Sequence, residues 1–361
     1  MKDFKPGGLA TAIGSFPYQD PVKACRLIGK YLPDMPVWPQ LPKRDPREGM
    51  YIQYSEAMPC CRYDVAKNKI YFDTTINVAS EMEKFYEHYL ADDLDYFGLS
   101  PDYAAGFHAF LEALESNNLK PHDPQAGALN PKLSFVKGHT TGPITFGMTV
   151  TDEAGKAIIY NDQIFEAISY GLALKSRWQL EKLRPFGDQV IIFLDEPYLA
   201  AYGSVGMNFS QAGIINMLNK VIEPVRESGA VVGIHCCANT DWSMLMHTAA
   251  DIISFDAYSY MESMTLYSEA LLSYLSRGGA LALGIIPAQD MVLKEEIETL
   301  SIRLNKAIDS LVELGIPKAD LLTQTLITPS CGLGAGTEEI AQKALQLTHG
   351  LSSILKGAAA L

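Results

Sequence analysis

From about residue 130 onward, short apolar runs alternate with longer stretches of helical periodicity. The runs Leu133–Val136, Val190–Leu194, Ala230–Ile234, Ile252–Phe255, Ala280–Ile286 and Leu326–Thr328 consist mostly of Val, Ile, Leu, Ala and Phe. Runs of this length and makeup predict strands buried on both faces. Ala10–Ile13 predicts an earlier strand, and Met35–Pro39 is the candidate for an eighth.

The stretches between these runs carry helix signals. Ser210 is placed to cap a helix whose apolar stripe is Ile214, Leu218, Val221, Ile222 and Val225, with Pro224 expected to kink it and Gly229 to end it. A second helix is expected from about Val292 to Leu314, with Ile297, Leu300, Leu304, Ile308 and Leu311 in register and Gly315 and Pro317 as stops. Repeated strand–helix units with short connections predict a parallel sheet. With 361 residues, the chain suits a single α/β domain, a (β/α)₈ barrel, a fold that runs from roughly 200 to over 400 residues. The region from about Pro33 to Lys132 breaks the pattern. It holds helical stretches at Asn77–Tyr89 and Ala104–Leu114 and a polar, turn-rich segment at Asn118–Pro131, and reads as an insertion on the barrel.

Hydrophobic residues make up 48% of the chain and charged residues 20%, which supports a large core and argues against disorder. The formal net charge of −13 disfavours nucleic acid and anionic membrane surfaces as partners. No apolar run approaches the ~18 residues that a membrane-spanning helix requires. Residues 1–12 show no hydrophobic signal core, so a cytoplasmic location is expected. Six cysteines are too few for a disulfide scaffold, and in that compartment they point to metal binding or chemistry.

The densest chemistry lies in Gly233-Ile234-His235-Cys236-Cys237, where a strand is expected to end. Side chains two apart on a strand share a face, so His235 and Cys237 present an imidazole and a thiol together. Cys331 follows the last expected strand. In a barrel all strands open their C-terminal ends onto one face, which brings Cys331 to the other two. Two thiolates and an imidazole form a catalytic zinc set with a position left for water or substrate. Asp256 ends the next strand, either as a fourth ligand or as a carboxylate that caps a helix or orients His235. Asp195 and Glu196 close another strand, either to attract an ammonium group or to cap the following helix. Gly14 and Ser15 follow the first strand, either to hold a carboxylate or as an ordinary turn. Gly138–Pro143 reads equally well as a plain loop. Cys60 and Cys61, near Glu56, either reach the metal or are inert.

These motifs, in this order, resemble the cobalamin-independent methionine synthase family, within the superfamily shared with uroporphyrinogen decarboxylase. The likeness is carried by Ile13-Gly14-Ser15-Phe16-Pro17, Thr141-Gly142-Pro143, Leu194-Asp195-Glu196-Pro197, His235-Cys236-Cys237, Asp251–Asp256 and Pro329-Ser330-Cys331-Gly332-Leu333. It implies zinc held by His235, Cys237 and Cys331 with Asp256 at the fourth ligand, Asp195 on a substrate amino group and Ser15 on its carboxylate. The sequence departs from the family at two of these places. The family's glutamate ligand is Asp256 here, and Gln289 stands near the family's proton-donating histidine. Folate-using members have two barrels and this chain matches one, so a methylated corrinoid protein is the expected donor.

The resemblance therefore implies methyl transfer to a small thiol such as homocysteine. A free thiol has a pKa of about 8.5, and zinc converts it to the nucleophilic thiolate. Two alternatives remain at this level: a metal-free decarboxylase of the porphyrin type, and a barrel that binds a corrinoid or a thiol without turnover. A homo-oligomer is compatible with the sequence.

Overall fold

The computed structural model describes residues 4–116, 119, 132–204 and 206–359 of the chain. The loop expected at Asn118–Pro131 lies outside them except for Leu119. In chain order come α1 (Pro21–Tyr31), the hairpin β1 (Cys61–Asp64) and β2 (Lys69–Phe72), α2 (Val78–Leu90) and α3 (Ala105–Glu115). The repeating part runs β3 (Leu133–Thr141), α4 (Pro143–Thr149), α5 (Asp162–Leu183), β4 (Gly187–Asp195), α6 (Gln211–Glu227), β5 (Val231–Cys236) and α7 (Trp242–Met246). It continues through β6 (Ile252–Phe255), α8 (Ala257–Thr265), α9 (Ser268–Ser276), β7 (Ala280–Ile286), α10 (Ile297–Glu313), α11 (Lys318–Thr323), β8 (Thr325–Pro329) and α12 (Glu338–Ala359).

β3 to β8 form one six-stranded parallel sheet in sequence order. Both of its edges meet the N-terminal segment. Ala10 bridges Ile327 of β8 in parallel, Val37 bridges Lys137 of β3 in parallel, and Ser15 bridges Gln40. The sheet is thus curled, and within Met35–Pro39, the candidate for an eighth strand, the contact with the sheet is the single bridge from Val37 to β3.

Alternation along the strands sorts two cores. Val190, Ile192, Leu194, Val232, Ile234, Ile253, Phe255, Leu281, Leu283 and Ile327 join the helices in the outer core. Ile191, Phe193, Val231, Ile252, Ala280, Ala282 and Leu326 pack inside with Phe4 and Met35. The apolar interior ends before the strands do, and polar side chains take over at their C-terminal ends.

The helices form where caps and stripes direct them. Ser210 Oγ accepts from the Gly213 N–H at 3.1 Å, and Ile214, Leu218, Val221, Ile222 and Val225 are all buried. α6 continues through Pro224 to Glu227, past the residue expected to kink it. α10 begins at Ile297 and not at Val292, because Asp290–Lys294 forms a 3-10 turn. Asn77 caps α2, accepting from the Ser80 N–H at 3.3 Å. No helix among the described residues is long and apolar enough to cross a membrane.

Candidate metal centre

The sheet register sets a row of inward positions at the strand ends. Thr141 pairs with Asp195, Asp195 with His235, and His235 with Ser254. Cys237 follows β5 on the His235 side, and Cys331 follows β8. One ligand atom from each of His235, Cys237 and Cys331 lies within 4.8 Å of the others. His235 is 3% exposed, and the two thiols are partly buried.

His235 is held from behind. Its Nδ1 lies 3.0 Å from Ser254 Oγ, which is fully buried. Nε2 is buried and has no hydrogen bond of ordinary geometry, although the imidazole is close enough to Cys237 to lower its pKa. Hydrogen bonds from Cys331 and His235 pull Cys237 down to about 4, and the same thiolate pushes Cys331 up.

The Cys331 loop is fixed to the first strand. The Leu333 N–H donates to Ser15 O at 2.9 Å, and the Gly334 N–H donates to Ser15 Oγ at 3.3 Å. A Cβ on Gly332 would lie 2.2 Å from that hydroxyl, so only glycine lets the loop approach. Gly14 is required in the same way, since its Cβ would lie 2.4 Å from the buried His139 ring. Gly14 and Ser15 therefore stand beside the loop that carries Cys331.

Asp195 continues the inner row. Its Oδ1 is buried without a partner. Burial raises its pKa to about 6, against the pull of His235 and Lys137. Glu196 turns the other way. Its Oε1 accepts from Ile144 N at 2.9 Å, and its Oε2 from Thr145 N at 2.7 Å and Thr145 Oγ1 at 2.6 Å, which caps α4. Burial raises Glu196 to about 7. Asp256 stands outside the group of three. It caps α8, accepting from Ser259 N at 2.9 Å, and burial raises its pKa with a smaller contribution from Cys237. Gln289 is exposed in the turn after β7 and makes no capping bond.

Cys60 and Cys61 are not among the three. Burial raises their pKa values to about 11 and about 12. Glu56, beside them, accepts from the Ser100 N–H at 2.9 Å and helps line a cleft of about 730 Å³ against α2 and α5.

Three contributors escaped the sequence reading. Ser254 had no signal beyond its place two residues before Asp256. Thr141 was legible only as part of a loop motif, yet its hydroxyl is buried without a partner beside Asp195. Lys137 is fully buried in β3, one residue beyond the strand expected at Leu133–Val136.

No family model matches the chain, and no curated protein sequence matches it significantly. Among solved structures, it is similar to a B12-independent methionine synthase from Shewanella sp. W3-18-1 in complex with selenomethionine. That likeness has 20% identity over 70% of this chain and 68% of the other, at a TM-score of 0.44. A superposition this loose assigns neither substrate nor chemistry.

Proposed function

We propose that the chain is a zinc-dependent methyltransferase acting on a small amino-acid thiol such as homocysteine. In this reading residues 10–15 and 35–40 complete an eight-stranded barrel, and the residues between Gln40 and β3 are its insertion. The observation that carries the proposal is the meeting of His235, Cys237 and Cys331 within 4.8 Å, from two strand ends far apart in sequence. The motif resemblance agrees with it.

The donor set fits zinc. Two thiols and one imidazole match a three-ligand catalytic site, and soft sulfur ligands disfavour magnesium or calcium. The buried, unpartnered Nε2 of His235 is the nitrogen such an ion would satisfy. Bound there, zinc would deprotonate an incoming thiol and keep its sulfur nucleophilic at neutral pH.

The protein's own groups prepare that site. With an ion on Nε2, the proton of His235 would sit on Nδ1 and donate to Ser254 Oγ, 3.0 Å away, which would fix the ring. Ser15 holds the Cys331 loop in place. Asp195, one strand from His235, offers a carboxylate to a substrate ammonium group. Asp256 adds negative charge near Cys237 without joining the three ligands. In the transfer the sulfur–carbon bond forms as the donor–methyl bond breaks, and the thiol proton is released. The proposed donor is a methylated corrinoid protein, for which methylcobalamin is the probe.

The test is metal analysis of the purified protein together with methyl transfer from methylcobalamin to homocysteine. Wild type should retain zinc and form methionine, and Cys331→Ser should lose both. Full turnover in Cys331→Ser would overturn the assignment.

A further inference from the structure

Cys331 carries one of the two sulfurs, and it stands beyond the end of its strand. The last backbone bond to the sheet before it runs from the Ser330 N–H to Ile286 O at 2.7 Å. After Ser330, the next N–H bonds that the chain makes outside its own loop both go to Ser15. The Leu333 N–H donates to Ser15 O at 2.9 Å, and the Gly334 N–H donates to Ser15 Oγ at 3.3 Å. Ser15 is itself held by Gln40, whose N–H donates to Gly14 O at 2.9 Å and whose carbonyl accepts from the Phe16 N–H at 2.8 Å. A fixed serine thus grips the loop two and three residues after the thiol, and the buried Leu333 side chain anchors it further.

Close packing points to the same residue. The three heavy atoms nearest to a Cβ placed on Gly332 all belong to Ser15: Oγ at 2.2 Å, Cβ at 3.5 Å and N at 4.0 Å. A Cβ on Gly334 would lie 3.0 Å from Ser15 Cβ and 3.2 Å from Ser15 Oγ. The Gly332 backbone is not left-handed. The serine oxygen, and not backbone strain, therefore keeps position 332 a glycine. The motif resemblance implies that Ser15 takes a substrate carboxylate, but the loop lies against this hydroxyl and bonds it.

We propose that Ser15 is a positioning residue: its hydroxyl holds the Cys331 sulfur within reach of His235 and Cys237 and so sets the affinity of the site for zinc. This rests on the proposed zinc centre and not on methyl transfer.

The test is zinc affinity, read by competition with a chromogenic chelator in the absence of thiol and methyl donor. Ser15→Ala should bind zinc about 3- to 10-fold more weakly, the worth of one neutral hydrogen bond. Gly332→Ala should lose roughly 10- to 100-fold by overpacking. X-ray absorption of the zinc it retains should show one sulfur in place of two. In the Ser15→Ala background, Gly332→Ala meets only a Cβ at 3.5 Å. The double variant should therefore bind zinc as Ser15→Ala does, a non-additivity that a role elsewhere in the structure would not produce.

Additive losses in the double variant, or two sulfurs at wild-type affinity in Gly332→Ala, would overturn the proposal. Calorimetry of the zinc-saturated protein with homocysteine and with cysteamine, which lacks the carboxylate, tests the other role. Wild-type zinc affinity in Ser15→Ala, with weaker homocysteine and unchanged cysteamine binding, would make the hydroxyl a carboxylate contact and overturn the proposal. If the variants behave as expected and no thiol is methylated, the positioning role stands and the proposed function fails. A wild type that binds no zinc overturns both. Should Gly332→Ala fail to fold, the zinc affinity of Ser15→Ala decides.

Discussion

Removing the hydroxyl of Ser254 should weaken metal binding without unfolding the protein. Ser254 Oγ lies 3.0 Å from His235 Nδ1, and both residues are buried. If Nε2 is the ligand atom, neutral imidazole must carry its proton on Nδ1 and donate it to Ser254. Ser254→Ala leaves that N–H in a place water does not reach. A stranded buried donor costs about 1–3 kcal/mol, and loss of an outer partner of a metal-bound histidine lowers affinity by about 10- to 100-fold. The two figures agree, since 1.4 kcal/mol is about a factor of ten. Without metal the imidazole is free to change tautomer, so the metal-free melting temperature should move less than the metal-loaded one. Competition against a chromogenic zinc chelator measures the affinity directly. An affinity indistinguishable from wild type would refute the assignment of Nε2 as the ligand and of Ser254 as its orienting partner.

Further consequences concern stability. Gly142→Ala would place a Cβ 2.1 Å from Glu196 Oε1. It should cost about 1–3 kcal/mol by overpacking, more if the cap on α4 breaks, and calorimetry should show the lower melting temperature. Burial lowers the Lys175 pKa from 10.5 to about 8. Because the folded value lies below the unfolded one, the charged lysine penalises the native state below about pH 8, and the penalty fades as pH rises towards 10.5. Lys175→Met should therefore be more stable than wild type at pH 7, by up to about 3 kcal/mol, and chemical denaturation should show the advantage shrinking by pH 10. Chelation of the metal should lower the melting temperature, since an ion at 1,000 times its dissociation constant adds about 4 kcal/mol.

The sequence was most readable where one kind of residue had one kind of surrounding. β6 and β7 match the expected Ile252–Phe255 and Ala280–Ile286 because both are runs of buried, mostly apolar residues. The apolar pattern of β3 ends at Val136 because its continuation, Lys137 to Thr141, is polar on the inner side of the curled sheet. Hydrophobic patterning stops where the site begins, so the same residues that hid the strand end belong to the candidate site. His235, Cys237 and Cys331 were legible because thiols and imidazole at strand ends have few other uses. Ser254 and Lys137 were not, because a serine or a lysine acquires its role only from a neighbour on another strand. Glu196 looked like Asp195's twin. Successive strand residues face opposite ways, and that alone sends Glu196 to cap α4 while Asp195 faces the interior. The β1–β2 hairpin had no signal of its own, being two four-residue strands of mixed polarity.

X-ray absorption at the zinc edge of the purified protein addresses the metal centre most directly. Two sulfur scatterers near 2.3 Å and one nitrogen near 2.0–2.1 Å per protein are expected, with one sulfur missing in any zinc retained by Cys331→Ser. A shell of oxygen and nitrogen alone, or no bound zinc in wild type prepared without chelator, would contradict the account.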